Sequence, residues 1–164
     1  MAGIFEELYS TYKKPVFNYL YRCTLNTHTA EELTQETFIR ALKYFGSFRG
    51  ESSAKTWLFK IARNIYLDHC RKYNTHTETD IAKQPVTDPF DAFASVDEQS
   101  LINKVLAGLK EDEREMIILR DANGLSYREI AEIMSFTEGQ VKIGLFRARR
   151  KFRENYQQET EGCK

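Results

Sequence analysis

No single helix can run the length of this chain, because residues 74–96 interrupt it. Pro85 and Pro89 remove the amide donors that a helix interior needs, and Asn, Thr and Asp crowd the same stretch. On either side, apolar residues recur at helical spacing. The expected fold is all-α: two small helical domains joined by a flexible linker. The domains should span residues 1–73 and 97–158, with 74–96 as linker and 159–164 as a disordered tail. Fully extended, the 23 linker residues reach about 75 Å, roughly two duplex turns of about 34 Å each. Two basic domains tethered in this way can touch separated DNA sites. Limited proteolysis should cut first between residues 74 and 96.

The charge pattern sharpens that picture. Formal net charge is zero over 164 residues, which argues against a general polyanion coat. Residues 1–73 hold 11 Lys+Arg and 7 Asp+Glu, a balance of +4; residues 74–113 hold 3 and 9, or −6; residues 114–164 hold 10 and 8, or +2. Two basic ends flank an acidic middle, and local patches decide whether a nucleic acid is attracted. Residues 1–12 carry Glu6 and Glu7 and lack a signal-peptide pattern. The longest apolar run, residues 116–119, is too short to cross a bilayer. Cys23, Cys70 and Cys163 are an odd, widely spaced set, so no disulfide framework is expected and a reducing cytoplasm fits best.

Residues 3–24 read as helix, with Pro15 expected to kink it or to begin a second one. Thr29 and Glu32 form a capping-box pattern that should open the next helix. Its inward stripe is Ala30, Leu33, Thr37, Phe38, Ala41 and Phe45. Glu31, Glu32, Gln35 and Glu36 cluster near its start. Those acids suit the helix dipole, or they form a binding face for a basic partner helix.

The stretch 48–64 reads as a polar loop feeding a helix. Gly46 and Gly50 punctuate the loop, and Ser52 or Ser53 can cap the helix. Leu58, Ile61, Ala62 and Ile65 face a core. Thr56, Lys60, Arg63, Leu67 and Arg71 line the opposite, largely cationic face, with Asn64 at its edge and Trp57 and Phe59 flanking it. Two readings fit: a single-strand reader with charge for phosphates and rings for stacking, or a solvated face with Trp57 in the core.

After the linker, Ser95 and its followers offer a cap, and Leu101, Ile102, Val105, Leu106 and Leu109 line one face. A helix from about 111 to 122 should bury Met116, Ile117 and Leu119 and stop at Asn123-Gly124. Ser126-Tyr127-Arg128-Glu129 is a capping box opening a short helix through Met134. Ser135-Phe136 turns, and Thr137-Glu138-Gly139-Gln140 caps a strongly basic last helix whose buried stripe is Val141, Leu145, Ala148 and Phe152. Two capped helices around a tight turn describe a helix-turn-helix; a solvated C-terminal helix is the plainer alternative.

At this point the chain resembles a bacterial RNA polymerase sigma factor of the extracytoplasmic-function (ECF) type, over about residues 3–156. Residues 30–38 (AEELTQETF) are similar to the family's core-binding segment, and residues 48–69 to its reader of the minus-ten element. Residues 125–134 (LSYREIAEIM) match the first half of the minus-thirty-five reader, and Val141-Lys142 with residues 145–152 match the second. The departures are Glu32 where Asp is usual, Ser135 where the turn usually has Gly, and Ile143-Gly144 in place of Ser-Arg or Thr-Arg. The last removes one expected DNA contact, and Gly144 should weaken an exposed helix by roughly 1 kcal/mol relative to Ala.

The resemblance implies an alternative sigma factor that binds core RNA polymerase and directs promoter-specific initiation. Glu32, Leu33, Gln35, Glu36 and Phe38 would dock on the core. Arg49, Ser52, Ser53, Lys55, Thr56, Trp57, Lys60, Arg63 and Asn64 would handle the minus-ten DNA. Ser126, Tyr127, Arg128, Thr137, Glu138, Gln140, Lys142, Ile143, Arg147, Arg149 and Arg150 would handle the minus-thirty-five DNA. Gln140, Lys142 and Ile143 would lie nearest the bases, and Arg147, Arg149 and Arg150 on phosphates. It also implies an anti-sigma protein, often membrane-anchored, as partner, with no membrane insertion by this chain. No catalytic constellation is visible, so no enzyme is expected. No cofactor is expected either: His69-Cys70 with His76 has too few ligands for a metal site. A dimeric helix-turn-helix regulator is the alternative function; it leaves the N-terminal half without a role.

Overall fold

The computed structural model describes residues 2–73 and 96–162, and these are helical with no strand. They fall into two compact units, one holding α1 to α3 and the other α4, α5, α7 and the start of α6. Residues 74–95 of the predicted linker (74–96), the Ser95 cap and Cys163 lie outside the described residues, and Val96, expected as the linker's last residue, is the first of the fourth helix. Among those described, no helix is long and apolar enough to cross a membrane.

The first unit contains α1 (Ala2–Thr24), α2 (Thr27–Tyr44), a 3-10 turn (Phe45–Ser47) and α3 (Ala54–Tyr73). All three helices pack on one another. Val16, Tyr19 and Leu20 of α1 meet Ala30, Leu33 and Ala41 of α2 and Leu58, Phe59, Ala62 and Ile65 of α3 in a buried core. Each large side chain removed from water there contributes about 1.5–3 kcal/mol. Tyr19 meets Phe59 edge-on at 5.6 Å, so Phe59 belongs to the core and does not flank the cationic face. Thr34 and Thr37 are buried on α2, and each hydroxyl donates to a carbonyl four residues back, at 2.6 and 2.7 Å, which removes the cost of burying it.

Of the two readings of Pro15, a separate helix beginning there does not form: Pro15 lies inside α1, where neighbouring helices supply enough buried contact to outweigh one missing hydrogen bond. The second helix opens two residues earlier than Thr29. Asn26 is its N-cap, its side chain accepting from the Thr29 amide at 3.0 Å. The Thr29–Glu32 box therefore does not form, and Glu32 turns instead to His28, at 3.0 Å.

The second unit contains α4 (Val96–Ala107), α5 (Glu111–Ile117) running into a π turn (Ile118–Ala122), the start of α6 (Tyr127–Met134) and α7 (Glu138–Glu161). Helix α7 packs on both α4 and α5. Val105, Leu106, Leu109, Met116, Leu119, Val141, Leu145 and Ala148 are buried. The π turn closes on Asn123. Asn123 donates to the Ile118 carbonyl from its backbone at 3.1 Å and from its side chain at 2.9 Å. Ile118 rather than Ile117 lies in the core, on the same helical face as buried Glu115, Met116 and Leu119. Gly124, at φ +68°, then ends the helix. At the other end, α7 continues through Glu161, and Glu159 pairs with Lys104 at 3.0 Å. Residues 159–161 are thus helix, not tail.

Candidate nucleic-acid interface

The loop before α3 turns on Gly50, whose φ of +73° suits a residue without a side chain. Ser53 then caps α3: its hydroxyl oxygen accepts from the Thr56 amide at 3.1 Å and donates to the Thr56 hydroxyl at 2.8 Å. Thr56 is only 1% exposed. Its packing under the cap removes Thr56 from the DNA-facing set, a correction to the expected list. Ser53 is itself exposed, though its main observed task is the cap. Trp57 is half-buried, with its ring 4.9 Å from Phe48 and 6.4 Å from Phe45. Trp57 is therefore neither wholly in the core nor wholly on the surface. Arg49, Lys60 and Asn64 are exposed, while Ser52, Lys55 and Arg63 are half-buried. A cationic and amide-bearing surface thus lies beside a fixed indole.

On α2, Glu32, Gln35 and Glu36 are exposed, and Glu36 bonds Arg40 at 2.9 Å. Leu33 and Phe38 are 6% and 5% exposed, and Phe38 meets Tyr9 edge-on at 4.9 Å. They are core side chains, so neither docks a partner directly. The inward stripe already contained both, and burial outweighs their place in the segment expected to dock. The large hydrophobic residues that α2 does present to water include Ile39 and Leu42, at 67% and 59% exposure, with Tyr44 at its end at 52%. Sequence reasoning missed Ile39 and Leu42, although their position off the buried stripe marks them.

The helix-turn-helix forms with both predicted caps. Ser126 and Glu129 exchange bonds at 3.0 and 3.1 Å. Thr137 and Gln140 exchange bonds at 2.9 and 3.1 Å. Ser135 sits between the helices at φ +58°, and the Phe136 amide reaches back to the Ala131 carbonyl at 2.9 Å, as in a Schellman ending. Ser126, Thr137 and Gln140 therefore spend polar atoms on capping; the Gln140 side-chain oxygen is taken, leaving its amide to donate.

Four side chains lock the base of this motif. Arg149 holds Asp121 by two bonds, Nη2–Oδ1 at 2.6 Å and Nε–Oδ2 at 3.1 Å. This raises the Arg149 pKa above its ordinary range, chiefly through the Asp121 hydrogen bond, with Tyr127 adding to it. Arg120 lies over the Tyr127 ring at 5.1 Å and donates to the Leu125 carbonyl at 2.9 Å. Arg149 was expected on a phosphate. Its fork is already filled, and such bidentate geometry is what a carboxylate fits best. Half-buried Tyr127 is likewise engaged. Arg128, Glu138, Lys142, Ile143, Arg147 and Arg150 remain exposed, with Arg150 near Glu154 at 3.4 Å.

Gly144 is half-buried rather than exposed. A Cβ there would lie 2.6 Å from the Met116 sulfur and 2.9 Å from its methyl. The glycine leaves room for the end of the buried Met116 side chain, which a Cβ would have to displace. Burial, the largest effect, lowers the His69 pKa; Glu32 and Glu36 oppose it and Lys72 adds to it. No group of three or more His, Cys, Asp or Glu able to hold a metal occurs among the described residues, and His76 lies outside them.

Comparison with known proteins agrees with this layout. Residues 8–75 match the family model for sigma-70 region 2, and residues 99–152 match that for sigma-70 region 4. RNA polymerase sigma factor YlaC of Bacillus subtilis (strain 168) is 35% identical over 162 residues, covering 95% of this chain and 94% of the relative. ECF RNA polymerase sigma factor SigM of the same organism is 35% identical over 156 residues, covering 92% and 94%. Among solved structures, the sigma factor RpoE in complex with the anti-sigma factor NepR, from Bartonella quintana, is similar at a TM-score of 0.81 and 28% identity, covering 93% of this chain and 96% of that one. Matched in both modules and along nearly the whole length of such relatives, the chain belongs to the sigma-70 family of RNA polymerase sigma factors, in its ECF branch.

Proposed function

We propose the following division of labour within this alternative sigma factor, which directs promoter-specific initiation by core RNA polymerase. The polymerase does the chemistry and this chain performs none. Glu32, Gln35 and Glu36, joined by Ile39 and Leu42, dock α2 on the core. Trp57 stacks beside an unpaired base of the minus-ten element, while Arg49, Lys60, Arg63 and Asn64 hold the adjacent strand, with Ser52 and Lys55 in support. Upstream, α7 enters the major groove with Lys142 and Ile143 toward the bases; Arg147 and Arg150 take phosphates, and Arg128 adds charge from α6. Extruding a base costs a few kcal/mol. The docked polymerase must help to offset that, so the free chain binds promoters weakly.

The observation that carries this reading is the exposed Lys60 and Asn64 beside half-buried Trp57 on α3. A dimeric helix-turn-helix regulator would give that surface no task. An anti-sigma protein as partner is supported by the RpoE–NepR structure, which records such a pairing for a similar protein. Gel filtration with core polymerase tests the proposal. The chain should elute with the core in equal amount; a chain that stays free of the core and binds duplex operators as a dimer would overturn it.

A further inference from the structure

Helix α7 shows water an unusual pair. Ile143 and Phe146 are 55% and 66% exposed, and they lie one helical turn apart, opposite the buried Val141, Leu145 and Ala148. Cations surround them: Lys142, Arg147 and Arg150 are all exposed. Among nearby acids, Glu154 is occupied by Arg150, and Glu138 falls on another face of the helix. Gly139, one turn before Ile143, is exposed, and a side chain there would meet only the Thr137 hydroxyl at 3.9 Å. That end of the helix can approach a surface closely.

A cationic rim around a small apolar centre matches one surface well. The major groove is walled by phosphates, and its one apolar feature is the thymine methyl. An acidic protein partner would match the rim, but it would have to supply its own apolar knob. Resting on the reading that α7 enters this groove, we infer that Ile143 and Phe146 read thymine methyl groups in the upstream promoter element. Phe146 is thereby a specificity residue, and Ile143 does the same work by apolar contact. Three residues advance the helix by about 4.5 Å, against about 3.4 Å per base step. The thymines read should lie one or two steps apart, on either strand.

Deoxyuridine tests this by removing the methyl alone. Holoenzyme assembled from core polymerase and this chain is used to select upstream elements from a randomised library. Each thymine of the selected element is then replaced by deoxyuridine in turn. Binding should weaken about fourfold, the worth of one buried methyl, at one or two positions separated as above. Ile143→Ala and Phe146→Ala are surface changes that leave the fold intact, and each should abolish the penalty at its own position. An element with no thymine on either strand, deoxyuridine tolerated everywhere, or penalties unchanged in both variants would overturn the inference. So would variants that bind DNA normally but lose polymerase, since the pair would then face a protein. If no upstream element is enriched at all, the promoter-reading role of α7 falls first, and this inference with it.

Discussion

Replacing Arg149 and Arg147 one at a time separates a strut from a phosphate contact. The Arg149–Asp121 bridge is bidentate, but its side chains are 40% and 44% exposed, so water screens it. A bridge of this kind contributes about 1 kcal/mol, the upper end for exposed pairs. Arg149→Ala should lower the opening free energy of α5 and α7 by that amount. Amide exchange along these two helices in the full-length chain should then run about fivefold faster, and Asp121→Ala should do the same. Arg147 is exposed, and its loss should leave exchange unchanged. Instead, Arg147→Ala should reduce the slope of log affinity against log salt by about 0.9 for holoenzyme on the upstream element, equally on every sequence. A flattened salt slope for Arg149→Ala with unaltered exchange would refute the strut; a changed base preference for Arg147→Ala would refute its phosphate role.

Three further outcomes are expected. Ser53→Ala should cost about 1 kcal/mol of α3 stability by removing the cap and impair promoter opening with it, while Ser53→Asn should restore both; opening that stays impaired in the Asn variant would mean the hydroxyl itself contacts DNA. Ser135→Gly should relieve a left-handed side chain and stabilise the second unit by about 1 kcal/mol, seen as a higher urea midpoint; a lower midpoint would contradict the observed turn. His69 titrates below its ordinary value near 6.5, so the unfolded chain binds its proton first as pH falls. Stability from this group is full above about pH 6.5 and is lost below it; His69→Gln should reduce the loss of stability between pH 7.5 and 5.5, and an identical loss in both proteins would remove His69 as a cause.

Much of the fold was legible because it is written locally. The stripe of Leu58, Ala62 and Ile65 needs only helical spacing, and the two capping boxes need only residues three apart. The start of α2 was misplaced because Asn26 and Thr29 are both good caps, and only the backbone geometry after α1 decides between them. Ile117 was expected inside because it is apolar, but the buried face runs through Glu115, Met116, Ile118 and Leu119, so a charged residue took a core position that composition alone does not suggest. Of the site, the exposed cations of α7 were legible and Arg149 was not: its partner is 28 residues away, beyond any local pattern. Thr56 was lost to the site for a different reason. A threonine on a polar face reads as available until the cap above it is seen. Leu33 and Phe38 were expected on a docking face, and it is their packing in the helical core that assigns them to the fold.

Run-off transcription on a library of promoter sequences tests the central claim most directly. Core polymerase with this chain should start transcripts at a discrete position downstream of two separated elements, and core alone should not. If the chain binds core yet adds no sequence-specific start, or if starts persist when Lys60, Asn64 and Trp57 are all replaced by Ala, then the two modules do not jointly define the promoter.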